Sequence, residues 1–518
     1  METTKTDVLI IGSGFGAAAP ALRLCEAGFN VLMIEKGSEI IPEKDFRITQ
    51  DPKYFLKYLK SVESENIGFT FAEALGGGSG FYEMVSLRAP SKVFEMRDEE
   101  GRLYWPAGIK RQLIDKYYDI SEKMLNVEQI DIEDIPQSGL VFAALMKNLG
   151  YSCDRARYAV KGCVGSGYCI AGCAFGAKQS LHLNYLPMAI KSGLKIKCNI
   201  EALEISLLVS NVKSTHSLKF INSIPYRYSI KCSDLNSLST FFIYTKILIL
   251  AGGTIGTAKL LLNSKKNLKF LSNQIGKNIA FNGSIKAVGL IPENFIQGDM
   301  FSGRSHPGFI SYHFFDKLGI TISSTKPLPI AVISSARLTL RSNLEVNAFW
   351  GKSNAELMKN YRKRIIILYS LGLTPPEAEL ILTENGRIIP RLTITEQLKQ
   401  YYKKISALLH SILRRNGCQI IDVTMLDLEG MPKNNISFSS AHMVGSCRMG
   451  ESKLSAVVDS YGEVFDYPGI FVTDGAAIPT SLAVNTSLTI LANAERVAEY
   501  LTRHFIPKEN SCVVNNYK

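Results

Sequence analysis

What most limits the fold of this chain is its first stretch, DVLIIGSGFGAAAPALRLCEAGFNVLMIEKG at residues 7–37. An apolar run meets Gly12, Gly14 and Ala17, then Ala21, Leu24 and Gly28, and a second apolar run ends at Glu35. This reads as strand, glycine turn, helix and strand. Gly12 permits the tight turn, and Gly14 lets the backbone approach a pyrophosphate whose charge the helix N-terminus stabilises. Glu35, at the end of the second strand, is placed to accept a ribose hydroxyl. The unit is built for a dinucleotide, and Pro20 inside the helix predicts a mild kink.

With 518 residues the chain is long enough for two to four domains or one large composite. Its net charge is +12, yet Lys and Arg are scattered without a basic block, which argues against a nucleic-acid partner. The first strand begins too early to leave room for a secretory leader, so a cytoplasmic location is expected. The apolar stretch from Ile247 to Leu262 is broken by Gly252, Gly253 and Lys259 and falls short of a membrane span. Ten cysteines over this length are not a secreted disulfide framework. Cys153, Cys163, Cys169 and Cys173 cluster, but their spacing matches neither zinc pairs nor a ferredoxin run, so no metal is expected.

Further along, GGGSG at 76–80 forms a second glycine loop, helical patches run from about Lys110 to Leu149, and a strand is expected near Lys195 to Ile205. TKILILAGGTIGTAKLLLNS repeats the strand, glycine turn and helix logic. Between about 286 and 430, segments such as KAVGLIP, ITISS, PIAVISS, LEVNAFWG and RIIILYSLGL alternate in the manner of strands and predict a mainly antiparallel sheet facing the substrate. A helix follows, with Leu398, Tyr402, Ile405, Leu408, Leu409 and Ile412 on one face and a stop at Gly417. Its basic face is compatible with weak contact to a membrane surface; packing on the sheet carries the greater weight. The stretches 210–222 and beyond Pro507 read as weakly ordered.

The C-terminal part holds SSAHMVGSCRMG, a strand ending in Asp474-Gly475, and Asn485 opening a helix. Together with the N-terminal motif, GGGS and ILILAGGTIGTAKLLL, this resembles the glucose-methanol-choline (GMC) family of FAD-dependent oxidoreductases. VTDGAAIPTSLAVNTSLTI and the lack of a second C-terminal His are most similar to its cholesterol-oxidase-like branch. The resemblance covers essentially the whole chain and is weakest from 286 to 430. It implies an α/β fold: a Rossmann-type FAD-binding domain (1–90, 152–285 and 430–518) and a discontinuous substrate domain (91–151 and 286–429) on a mainly antiparallel sheet with helices.

Residue by residue, the resemblance implies that Gly12, Gly14 and Gly16 carry the FAD pyrophosphate and Glu35 the adenosine ribose, with Phe15 and Lys36 as further cofactor contacts. Gly77, Gly78, Ser79 and Tyr82 match the loop beside the flavin, and Ala202 matches a backbone contact to adenine. Asp474 and Gly475 match a pair at the pyrophosphate and ribityl chain. His442 and Asn485 match the two side chains that face the reactive side of the ring system, and Asn485 and Thr486 are also expected to contact the cofactor. Phe81 stands where members with a covalent flavin carry His, which implies non-covalent FAD; Tyr82 stands where Asn is frequent.

The chemistry agrees independently. Alcohol oxidation needs a group to take the hydroxyl proton, and imidazole, with an ordinary pKa near 6.5, suits that task. His442 is that group, Asn485 donates to the substrate oxygen, and the following helix presents its N-terminus to negative charge. The expected activity is oxidation of an apolar or bulky alcohol by an FAD enzyme, with oxygen or a quinone as electron acceptor. A lyase using the same His, or a flavin-binding protein without turnover, shares these motifs. His313 is a lesser candidate for substrate contact, Glu345 for a second base, and Arg448 for support of the His442 turn.

Overall fold

The computed structural model describes residues 3–46, 57–167, 169–208, 219–295, 298–300, 307–325, 336–340, 352–425 and 438–507. Two large sheets organise them. In the first, Lys195–Lys197, Val31–Ile34, Thr3–Ile11, Thr240–Leu250, Tyr228–Asp234 and Ile200–Leu207 lie side by side, and Ile470–Val472 adds to Thr240–Leu250. The pairings among the first four strands and with Ile470–Val472 are parallel, while Tyr228–Asp234 pairs antiparallel on both sides. Parallel strands covered on both faces must be apolar throughout, which explains the unbroken runs VLMI and ILIL in the sequence.

Helix Phe15–Glu26 covers this sheet with Ala17, Ala18, Ala19, Ala21, Leu22 and Leu24 fully buried, and it runs through Pro20 without a break. Thr240–Leu250 feeds helix Gly253–Asn263, so the second strand-glycine-helix reading holds. Helix Ser487–His504 packs beside Phe15–Glu26, tied by Arg23, which donates from Nε and Nη2 to the two carboxylate oxygens of buried Glu495 at 2.9 and 3.0 Å.

The second sheet is antiparallel at every pairing, in the order Ala336–Leu340, Gln419–Met425, Ile285–Leu290, Ile365–Gly372, Ile320–Thr325, Phe309–Ser311 and Asp154–Arg155. Helices Gln137–Asn148 and Glu396–Arg415 lie on one face, where Phe142, Leu145, Ile405 and Leu409 bury against Ala287, Ile322 and Leu368. Glu396–Arg415 is therefore a packed helix with a charged outer side, capped by Thr395, whose hydroxyl accepts from the Leu398 amide at 3.2 Å. Strand alternation turns Lys286, Val288, Ile367 and Tyr369 to the other face, which lines a cavity.

The mixed α/β architecture with an antiparallel second sheet is the one expected. Some details differ. Helix Arg111–Met124, assigned by sequence to the substrate part, packs on Ser487–His504 through Tyr118 and Thr489, whose hydroxyls lie 2.8 Å apart. Asp154–Arg155, assigned to the FAD part, is the edge strand of the second sheet. Lys219–Phe220, within a stretch read as weakly ordered, pairs with Phe505–Ile506. PIAVISS, LEVNAFWG, Glu345, residues 209–218 and the tail after Pro507 lie outside the described residues. No described helix is long and apolar enough to cross a membrane.

Candidate active site

A cavity of about 2140 Å³ runs between the two sheets. It is about twice the upper end of an ordinary small-molecule pocket, large enough for a dinucleotide together with a second ligand. Its floor is the turn after strand Thr3–Ile11. Gly12 has φ +98°, and a Cβ there would lie 2.2 Å from the Ala251 carbonyl oxygen. A Cβ on Gly16 would lie 2.5 Å from Asp474 Cα, and one on Gly77 2.9 Å from Gly14 Cα. The two glycine loops thus meet backbone to backbone, a closeness that no side chain permits. Helix Phe15–Glu26 begins here without a side-chain cap, leaving its N-terminal amides to a ligand.

Glu35 lines the cavity at the end of Val31–Ile34. Ser13 Oγ donates to its Oε2 at 2.6 Å and the Gly37 amide to its Oε1 at 2.7 Å; burial raises its pKa against these bonds. Ser13 Oγ also accepts from the Gly76 amide at 2.9 Å, so one hydroxyl joins the first glycine loop, the second loop and Glu35. Sequence reasoning did not single out Ser13, because the contact spans distant parts of the chain.

Lys36 lines the cavity and is paired with Glu73 at 2.9 Å and Glu201 at 3.6 Å. Phe15 and Tyr82 meet edge to face, 5.3 Å between ring centres, and the Tyr82 hydroxyl donates to the Gln179 carbonyl at 2.9 Å. Ser79 is the exception among the expected residues. It is fully buried, its hydroxyl donates to the Gly76 carbonyl at 2.7 Å and accepts from the Leu181 amide at 3.1 Å, and it locks the loop without lining the cavity. The loop is held from beneath by buried Lys178, whose Nζ donates to the carbonyls of Gly80 and Cys169; burial lowers its pKa to about 8. Phe81 packs edge-on against Phe46 at 5.6 Å and carries no group able to bond a flavin.

Asp474 is buried, and its carboxylate is taken up by protein donors. Oδ2 accepts from the Gly253 amide at 2.7 Å and Thr257 Oγ1 at 2.6 Å, and Oδ1 from the Ala476 amide at 2.8 Å. The carboxylate thus sits at the N-terminus of helix Gly253–Asn263, although burial still raises its pKa to about 6. The second glycine motif anchors Asp474, and through it the Asp474-Gly475 segment that borders the cavity.

At the far wall, Asn485 Nδ2 lies 3.3 Å from His442 Nε2. With the amide as donor, Nε2 is the unprotonated ring nitrogen, the form that accepts a proton. The imidazole is enclosed by protein yet open to the cavity, and burial lowers its pKa to about 4. Asn485 is not the capping residue of the helix that follows it. The helix starts at Ser487 with Thr486 before it, which frees the Asn485 side chain for His442.

One short segment positions both. Ser440 Oγ donates to the Phe281 carbonyl at 2.9 Å and accepts from the His442 amide at 3.0 Å. The next residue, buried Asn282, accepts from the amides of Leu482 and Ala483 at 2.7 and 3.2 Å and donates to the Val484 carbonyl at 2.8 Å. Ala483 has φ +55°, a strained conformation fixed by these bonds and by Thr321, which donates to its carbonyl at 2.6 Å.

Gly12, Gly14, Phe15, Gly16, Glu35, Lys36, Gly77, Gly78, Tyr82, Ala202, His442, Asp474, Gly475, Asn485 and Thr486 all border this one cavity. His313 does not. It is exposed, stacked near Tyr151 and Phe314, and accepts from the Ser152 amide at 3.4 Å. Arg448 holds its own loop, donating to the Ser455 carbonyl at 2.9 Å with its guanidinium near Tyr104. Among the described residues, no His, Cys, Asp or Glu group could hold a metal ion, and the cysteines form no disulfide.

Comparison with known proteins gives a consistent family. The chain is 24% identical to long-chain-alcohol oxidase FAO3 of Arabidopsis thaliana, covering 96% of this chain and 68% of that protein. It is 22% identical to a cholesterol oxidase of Acinetobacter baumannii, covering 96% and 94%. Among solved structures it resembles pyridoxine 4-oxidase from Mesorbium loti with a TM-score of 0.66 at 14% identity, covering 96% and 99% of the two chains, a likeness of fold. The GMC oxidoreductase profile matches residues 7–282 and again 395–494. The chain belongs to the GMC oxidoreductase family, whose members are flavin-dependent.

Proposed function

We propose that this protein oxidises an apolar or bulky alcohol with bound FAD, residues 1–90, 152–285 and 430–518 forming the cofactor part and 91–151 and 286–429 the substrate part, except that strand Asp154–Arg155 joins the substrate sheet and helix Arg111–Met124 packs on the cofactor part. The observation that carries the reading is the His442 and Asn485 pair, 3.3 Å apart on the wall of the cavity that both glycine loops also border. The chain fits the cofactor: Gly14, Gly77 and Gly78 border the cavity with bare backbone that a pyrophosphate can approach, and the uncapped helix offers amides to it. FAD, when bound, supplies the two-electron acceptor, and the protein supplies position and electrostatics.

In the substrate chamber, the alcohol oxygen displaces the contact between His442 Nε2 and Asn485 Nδ2. Asn485 Nδ2 then donates to that oxygen, and Nε2 accepts its proton as the C–H electrons leave the carbinol carbon. Burial keeps the imidazole neutral, so it is ready to accept a proton throughout the neutral range. Val288, Ile365, Ile367 and Ile421 give the chamber an apolar wall. The relatives named for long-chain alcohols and cholesterol support a bulky apolar substrate, and their being oxidases supports oxygen as the final acceptor. The reading is tested by incubating the FAD-loaded protein in air with long-chain and sterol alcohols. Formation of the aldehyde or ketone with peroxide is expected, and no product from any alcohol would overturn it.

Two further results are expected. Acid precipitation should release the yellow colour, because Phe81 cannot form a histidyl link; flavin remaining on the unfolded chain would contradict this. Glu35→Ala should weaken FAD binding by about 1–3 kcal/mol, the cost of losing a charge-assisted hydrogen bond. Titration of the apoprotein with FAD measures it, and unchanged affinity would remove Glu35 from the adenosine end.

A further inference from the structure

Strand Ile285–Leu290 reads KAVGLIP from residue 286 onward, an apolar strand with one lysine on its cavity face. Lys286 is opposite Tyr369 in the sheet register, and Tyr369 is opposite Ser323, so one polar row crosses the wall. The adjacent row, Val288, Ile367 and Thr325, with Ile421 beside Val288, is mostly apolar. Lys286 Nζ lies 5.7 Å from the centre of the Tyr369 ring and makes no hydrogen bond or ion pair among the described residues. Its side chain has free surface, yet protein encloses it, so that surface opens into the cavity and not to bulk water. Tyr369 and Asn485 also border the same small void, together with Glu83, which places this row near the His442 and Asn485 pair.

We propose that Lys286, with Tyr369 beside it, is an anion anchor in the substrate chamber, and that the alcohols taken by this protein carry a carboxylate. An enclosed ammonium without a partner is costly, and the cost is removed when a ligand brings the opposite charge. Burial accordingly pushes the Lys286 amine below its ordinary value; Glu83, on the loop after Gly77–Gly80, is the charge that acts against this. A single cation flanked by hydroxyl groups matches a monoanion with two oxygens better than a phosphate dianion. The apolar row then holds the carbon skeleton. This substrate class rests on the alcohol-oxidation reading of the same chamber; the anchor itself is testable without turnover.

The experiment is equilibrium binding to the oxidised, FAD-loaded protein, followed by perturbation of the flavin visible spectrum, with octanoate and octanamide as probes. Octanoate should bind about 10- to 100-fold more tightly than octanamide. Lys286→Met should abolish that preference while retaining FAD and the ligand-free spectrum, and Lys286→Arg should keep most of it. Equal binding of the two probes to the parent protein, or a preference that survives Lys286→Met, would overturn the anchor. Loss of FAD or a changed ligand-free spectrum in Lys286→Met would assign the lysine to the cofactor and overturn it equally. Bleaching by octanol without octanoate binding would refute the anchor and leave alcohol oxidation standing. Lys286-dependent octanoate binding without bleaching by any alcohol would support the anchor and refute the oxidation.

Discussion

His442→Ala is expected to retain FAD but to slow anaerobic flavin reduction by an active alcohol by about 10²–10⁴-fold, the usual contribution of a positioned base. The carbinol carbon gives up its C–H electrons readily only as the hydroxyl proton leaves, and in the proposed reaction Nε2 of His442 takes that proton. The glycine loops and Glu35 are untouched by the substitution, so cofactor content should be unchanged. Asn485→Ala should slow the step less, because it removes a donor to the oxygen and not the proton acceptor. The pH dependence follows from the same burial. His442 is held at about 4 instead of 6.5, so the rate should stay level through the neutral range and fall only as pH approaches about 4. The depressed value has a cost in stability. Below about 6.5 the unfolded chain takes up a proton at this site that the folded one refuses, and this part of the stability declines with falling pH until about 4, where the folded imidazole protonates too. Stopped-flow reduction across pH measures the first effect, and a rate falling near 6.5 would contradict it.

Gly12→Ala should abolish FAD binding and destabilise the fold by more than about 3 kcal/mol. Two penalties combine: a methyl group placed 2.2 Å from the Ala251 carbonyl oxygen, and an L side chain held at φ +98°. The neighbour is backbone of the strand-to-helix turn at 250–253, which cannot yield without moving helix Gly253–Asn263 and the Asp474 carboxylate seated on it. Gly108→Ala is the control. No atom lies within 4 Å of a Cβ there and the residue does not border the cavity, so it should remain folded and yellow. Thermal unfolding and flavin content distinguish the two, and a folded, FAD-loaded Gly12→Ala would show that the turn is not as tight as described.

Local sequence carried much of this architecture because its cues are local. A strand buried on both faces must be apolar, a glycine turn must have glycine, and the acidic residue closing the second strand stands at a fixed distance from them. The second, antiparallel sheet was likewise legible from alternation in KAVGLIP, ITISS and RIIILYSLGL. What stayed hidden depends on contacts between distant segments. Ser13 joins Glu35 to the second glycine loop, Asp474 caps a helix more than 200 residues earlier, with Thr257 at a separation of 217, and Asn282 holds the turn before Asn485. Nothing in the neighbouring residues marks these partners. Ser79 shows the opposite case: its motif suggested a cofactor contact, whereas its hydroxyl is consumed in fixing the loop. Lys286 did leave a signal, a lysine on the same strand face as the apolar Val288 and Leu290.

The most direct test of the account is anaerobic mixing of the FAD-loaded parent protein with long-chain primary alcohols and cholesterol, following the visible flavin absorbance. The account predicts that at least one alcohol bleaches the flavin, that the bleaching scales with alcohol added, and that admitting an electron acceptor restores the colour. A flavin that stays oxidised with every alcohol, in protein shown to be folded and fully loaded, would contradict it.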